Sequence, residues 1–104
     1  MFKKKEKRFI TKGIDTQVSK AMQIVCWELV DNLVKENSIE IDYLQIFKFE
    51  KNERDLLITH RQEEPKYNKQ YELKLEDELI KLDISKLWLI DDGVNQTMLL
   101  PEEY

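Results

Sequence analysis

Apolar and polar positions alternate along most of this chain, and one stretch breaks the alternation with a helical step. "KRFITKGI" (Lys7–Ile14) has period-two alternation, with Phe9 and Thr11 set against Arg8 and Ile10, and predicts a first strand. Gly13 ends that run, and Asp15 or Thr16 offers an oxygen to cap a helix. The helix is expected over about Gln17–Glu36. Val18, Ala21, Met22, Val25, Leu29 and Leu33 recur there at three- and four-residue steps, and their arc takes in Cys26. The far side is not wholly polar, because Ile24, Trp27, Val30 and Val34 lie across it. Either another part of the chain covers this second patch or a partner does. "KENS" (Lys35–Ser38) closes the helix.

"IEIDYLQIFKFE" (Ile39–Glu50) is rich in β-branched and aromatic residues and has apolar positions on both parities. It predicts a strand covered at least in part on both faces. A turn at Lys51–Arg54 leads to a return strand, Asp55–Arg61. Gln62–Asn68 is expected to be irregular, since Pro65 has no N–H for a ladder. Lys69–Asp77 alternates again, Glu78–Lys86 reads equally as a helical turn or an extended segment, and Leu87–Leu100 is a hairpin about Asp92-Gly93. These elements predict an α+β fold: one long helix on a mostly antiparallel sheet of five or six strands, in the order β-α-β-β-β-β(-β).

Composition narrows the class. A chain of 104 residues with 41% hydrophobic and 37% charged residues suits a single folded domain, here residues 7–104 behind a basic arm at 1–6. Apolar runs are far shorter than the roughly 20 residues of a membrane span. No apolar region follows the N-terminal lysines as it would in a signal peptide. A single cysteine makes no internal disulfide, so a cytoplasmic protein without a membrane partner is expected. Charge is uneven. Residues 1–12 hold six basic groups against one acidic, a net of +5, and the remainder holds eleven against twenty, a net of −9.

Candidate chemistry is sparse. Two glycines cannot build a phosphate-binding loop, and there is no paired CxxC motif. One histidine, His60, falls short of a usual catalytic zinc set, so no metal or other cofactor is expected. Asp91 and Asp92 are neighbours that point opposite ways in a strand; they read as turn residues rather than a carboxylate dyad. His60 shares its strand face with Leu56 and Ile58 and reads as a packed histidine. Cys26 lies mid-helix, away from anything that would activate it. Neither a catalytic constellation nor a small-molecule substrate emerges, and an enzyme is not expected. Two binding readings remain. The first is a protein partner, or another copy of the chain, on the patch of Ile24, Trp27, Val30 and Val34. The second is nucleic acid on the arm of Lys3, Lys4, Lys5, Lys7 and Arg8, through phosphate contacts. In the loop after the hairpin, Gln62 can bond backbone groups, Pro65 can stiffen the bend and Tyr67 can cover apolar surface. Alternatively Glu63 and Glu64 form an acidic recognition loop.

"RFITKGI", "DYLQIFKFE", "HRQEEPKY" and "WLIDDGVNQTMLLPEEY" together resemble the domain-of-unknown-function family 960, small proteins of Gram-positive bacteria. The resemblance spans nearly the whole chain. It implies a single-domain protein of a kind sometimes carried on mobile genetic elements, and it transfers no catalytic residues. It leans the expectation towards an accessory binding protein.

Overall fold

A computed structural model of the chain describes residues 1–3, 6–74 and 82–104. Six strands form one sheet: β1 (Lys7–Ile10), β2 (Leu44–Lys51), β3 (Asp55–Gln62), β4 (Tyr67–Lys74), β5 (Lys86–Asp91) and β6 (Asn95–Leu99). Their order across the sheet is β1-β6-β5-β2-β3-β4. Only the β1–β6 pair is parallel; the other four pairs are antiparallel. The fold is therefore α+β with a mostly antiparallel sheet, as the alternation predicts.

Two helices precede β2 where the sequence predicts one. Helix α1 (Lys12–Gln17) is capped by the Thr11 hydroxyl, and α2 (Lys20–Glu36) by Ser19, whose side chain accepts from the Met22 amide. Between them Val18 is extended and bridges Leu82. The expected continuous start at Gln17 fails because Ser19 is a better cap than Asp15 or Thr16 and Val18 is used as a strand residue. Asn37, at positive φ, closes α2.

Strand ends shift for similar local reasons. β3 runs on through Gln62 and β4 starts at Tyr67, so the irregular segment shrinks to a turn about a cis Glu64-Pro65 bond. The first strand ends at Ile10, because Thr11 turns the chain into α1. β2 starts only at Leu44; the segment before it crosses from α2 to the sheet. The tail of the expected Lys69–Asp77 strand and the first four residues of Glu78–Lys86 lie outside the described residues. In what is described of the latter, Leu82 bridges Val18 and Lys86 opens β5. The Asp92-Gly93 hairpin forms as expected, with Gly93 at φ +92° and Asp92 accepting from the Val94 and Asn95 amides. Those bonds also hold the Asp92 carboxyl below its usual range.

The core lies between α2 and one face of the sheet. From the helix come Met22, Cys26, Val30 and Leu33; from the strands come Phe47, Phe49, Leu56, Ile58, Leu87, Leu89 and Met98. This helix face is turned a little under one residue step, about 100°, from the arc the spacing suggests. Ala21 is exposed, and Val25 and Leu29 sit at the margin. Val30, read as outward-facing, is fully buried.

The C-terminal turn η1 (Pro101–Glu103) is locked onto α1. Glu103 accepts from the Thr11 hydroxyl at 2.6 Å, the Leu100 amide at 2.8 Å and the Gly13 amide at 3.2 Å, and these bonds lower its carboxyl pKa. A Cβ on Gly13 would lie 2.7 Å from Leu100 Cδ1 and 2.8 Å from Glu103 Oε2. Gly13→Ala is therefore expected to cost about 1–3 kcal/mol by overpacking, despite its better helix propensity. Urea unfolding checks this, and a stabilised variant would show that the contact yields freely.

Candidate functional site: the open face of the sheet

The expected partner surface on the helix does not form as a patch. Ile24 is exposed, but Val30 is in the core and Val34 is half-buried against it. Trp27 is roofed by Arg8, whose guanidinium carbon lies 4.5 Å from the ring centroid. Arg8 also pairs with Asp31 through both guanidinium nitrogens and donates from Nε to Gln96 at 2.9 Å. The edge strand thus reaches over the helix and covers what the spacing leaves bare.

The same contact changes the nucleic-acid reading. Arg8 is engaged in holding β1 to α2 rather than extended to solvent. Lys3 and Lys7 are exposed; Lys4 and Lys5 lie outside the described residues. The start of the expected arm is anchored, because Phe2 is buried and its amide donates to the buried Asp91 carboxylate. The Lys3 carbonyl accepts from Gln96 Nε2 at 2.8 Å. Asp91 thus has a second task beside the turn, where it accepts from the Gly93 amide. No spacing rule links residues so far apart.

His60 is packed, as expected. It stacks on Phe47 with ring centroids 4.5 Å apart, meets Tyr67 edge-on, and bonds Gln45 Oε1 through Nε2 at 2.7 Å. Burial pushes its pKa down to about 4. Gln62 does what its loop position suggests. Its amide donates to the Glu40 and Pro65 carbonyls, and its oxygen accepts from the Asp42 amide and Gln45 Nε2. Glu63 and Glu64 stand exposed at the β3–β4 turn. Burial raises the pKa of the Cys26 thiol well above its normal value, so the thiol stays protonated. Among the described residues no group of three or more His, Cys, Asp or Glu is placed to hold a metal ion, and no helix is long and apolar enough to cross a membrane.

The surface that the sequence reading passes over is the sheet's other face. Strand register sets its residues in rows. One row runs Phe9–Thr97–Ile90–Leu44, and the next runs Leu99–Trp88–Ile46–Arg61. A third runs Lys86–Lys48–Thr59–Gln70. The face is thus apolar at one end and becomes basic within two rows. Phe9 remains 48% exposed, and Trp88, Ile90 and Leu44 are half-buried. Where the apolar and basic rows meet, a hollow of about 460 Å³ is floored by Ile46 and walled by Trp88 and Pro101. Lys48, Arg61 and Lys86 surround it, with Glu63 at the rim. Tyr104 lies edge-on to Trp88, ring centroids 5.8 Å apart. Alternation shows that Trp88 and Ile90 share a side, but only the β2–β5 pairing sets them beside Ile46 and Lys48.

Residues 7–103 match the model of a family described as "Staphylococcal protein of unknown function (DUF960)". The chain belongs to that family. A solved structure shares the fold: a protein of unknown function from Enterococcus faecalis, with a TM-score of 0.77 and 21% identity. The match covers 99% of this chain and 94% of that one. No curated protein matches the chain. Family membership agrees with the resemblance carried by the four sequence motifs, and the shared fold extends over nearly the whole domain.

Proposed function

We propose that this family member is a binding domain that docks a partner protein on the open face of its sheet, and that it has no catalytic role of its own. The observation that carries the reading is the apolar row Phe9–Thr97–Ile90–Leu44, set beside a basic row on a face that α2 does not cover. Apolar surface flanked by polar residues marks interaction sites, and Trp and Arg are enriched among the residues that anchor interfaces. A protein occupant fits better than nucleic acid. The chain carries a net charge of −4, and Arg8 is committed to Asp31. A phosphate backbone would gain on one short row and be repelled over most of the remaining surface. A second copy fits less well, because pairing the hollow with itself would set Lys48 and Lys86 against like charge. The exposed helix residue Ile24 is not part of the surface.

A photo-crosslinking amino acid at Phe9 or at Ile24 tests the reading within the native host. The two positions are similarly exposed, at 48% and 54%, and lie on opposite sides of the molecule. Discrete adducts are expected from position 9 and not from position 24. Adducts from position 24 alone would overturn the proposal.

A further inference from the structure

The basic end of the open face is more than a single hollow. A second hollow of about 290 Å³, bounded by Lys66, Tyr67 and Asn68, shares Arg61 and Glu63 with the one beside Ile46. Together the two linings contain four cations, Lys48, Arg61, Lys66 and Lys86, and one anion, Glu63. That concentration sits on a molecule whose net charge has the opposite sign. Among the described residues, Arg61 and Lys86 form no ion pair. Lys48 is only loosely paired, with Glu50 Oε1 at 3.6 Å and both side chains more than half exposed. Among the described residues the cations are therefore available, and Ile46, Trp88 and Pro101 make one side of the groove apolar.

We infer that this groove takes an acidic linear segment of the partner, with carboxylates on Lys48, Arg61 and Lys86 and an aromatic or aliphatic side chain against Trp88 and Ile46. The inference rests on the proposed use of the open face and adds the chemistry of its occupant. Arg61 is the member suited to a two-pronged carboxylate contact, while Lys48 and Lys86 act as point charges. The chain's own C-terminus illustrates the fit. Pro101 stands in the wall and Tyr104 lies edge-on to Trp88, so an aromatic side chain already rests at the groove's margin.

A display library of random peptides, selected on the whole protein at physiological salt, is the test. Enriched peptides are expected to place Asp or Glu next to Phe, Tyr, Trp or Leu. They should bind the Lys48→Glu/Lys86→Glu variant at least about tenfold more weakly, which is roughly 1.4 kcal/mol, and bind Ile24→Glu unchanged. Both lysines are exposed, so the double variant should fold, and its urea midpoint checks that it does. A thymidine oligonucleotide should not displace the peptides. Enrichment of neutral or basic peptides, equal binding to the double variant, displacement by the oligonucleotide, or no enrichment would each overturn the inference. If adducts from position 9 persist in that case, the open face stands and only its acidic occupant is wrong. If they are absent too, both readings fall.

Discussion

Gln62→Leu is expected to destabilise the fold by about 3–5 kcal/mol, a large part of the roughly 5–15 kcal/mol that holds a domain of this size. Gln62 is 1% exposed, and one amide group meets four partners at 2.7–3.0 Å. Two of them, the Asp42 amide and the Glu40 carbonyl, belong to the segment between α2 and β2. The Pro65 carbonyl belongs to the β3–β4 turn, and Gln45 is on the neighbouring strand. Leucine matches the volume but leaves three backbone groups and one side-chain donor without that partner. Gln45 Nε2 keeps its bond to the Asp42 carbonyl, so the backbone groups bear most of the loss. Urea midpoints of Gln62→Leu and of Gln70→Leu, an exposed residue of β4, make the comparison. The second should change stability by no more than about 0.5 kcal/mol. A loss below about 1 kcal/mol at Gln62 would mean that water replaces the amide freely.

That residue also marks what could be read from the chain. Its role as a backbone partner follows from its place beside a proline, where the ladder must end and peptide groups need other partners. Which peptide groups it serves does not follow, because Glu40 and Asp42 approach only when β2 pairs with β3. Strands and hairpins were legible in the same local way. Alternation names the side of each strand, and Asp92-Gly93 names a turn.

The helix was less legible for a physical reason. An apolar arc wider than the core can be covered by more than one neighbour, and the spacing does not say which. The parallel β1–β6 pair brings Arg8 over Trp27 and removes the apparent surface there. Equally, the open face became visible only when β5 joined β2, since Lys48 and Lys86 are 38 positions apart in the chain yet adjacent in the sheet. Local pattern gives a residue's side; long-range pairing gives its neighbours, and a binding surface is made of neighbours.

The second large effect expected is on the pH dependence of stability, and it traces to His60. Gln45 uses its nitrogen to donate to Gln62 and to the Asp42 carbonyl, so its oxygen must accept from His60 Nε2. The imidazole is then neutral, with its proton on Nε2 and Nδ1 bare. Among the described residues Nδ1 has no hydrogen-bond partner. Protonating it would bury a charge and add a donor with no acceptor, which agrees with a pKa lowered from 6.5 to about 4. The unfolded chain takes up the proton near pH 6.5, and the folded chain does not until about pH 4. The stability linked to His60 is therefore whole above pH 6.5 and falls as pH drops through the interval, with no further loss below about pH 4. The slope is about 1.4 kcal/mol per pH unit and the total about 3 kcal/mol. His60 is the chain's one histidine, so between about pH 5 and 6.5 no other imidazole contributes. His60→Leu should lose about 1–3 kcal/mol at pH 7, because Gln45 Oε1 is left without a donor, and its stability should be nearly flat across that window. Urea unfolding of both proteins at half-unit pH steps measures the two slopes. Parallel slopes would show that His60 takes up its proton in the fold as readily as in the unfolded chain, and that the Gln45 contact is not the neutral pair described.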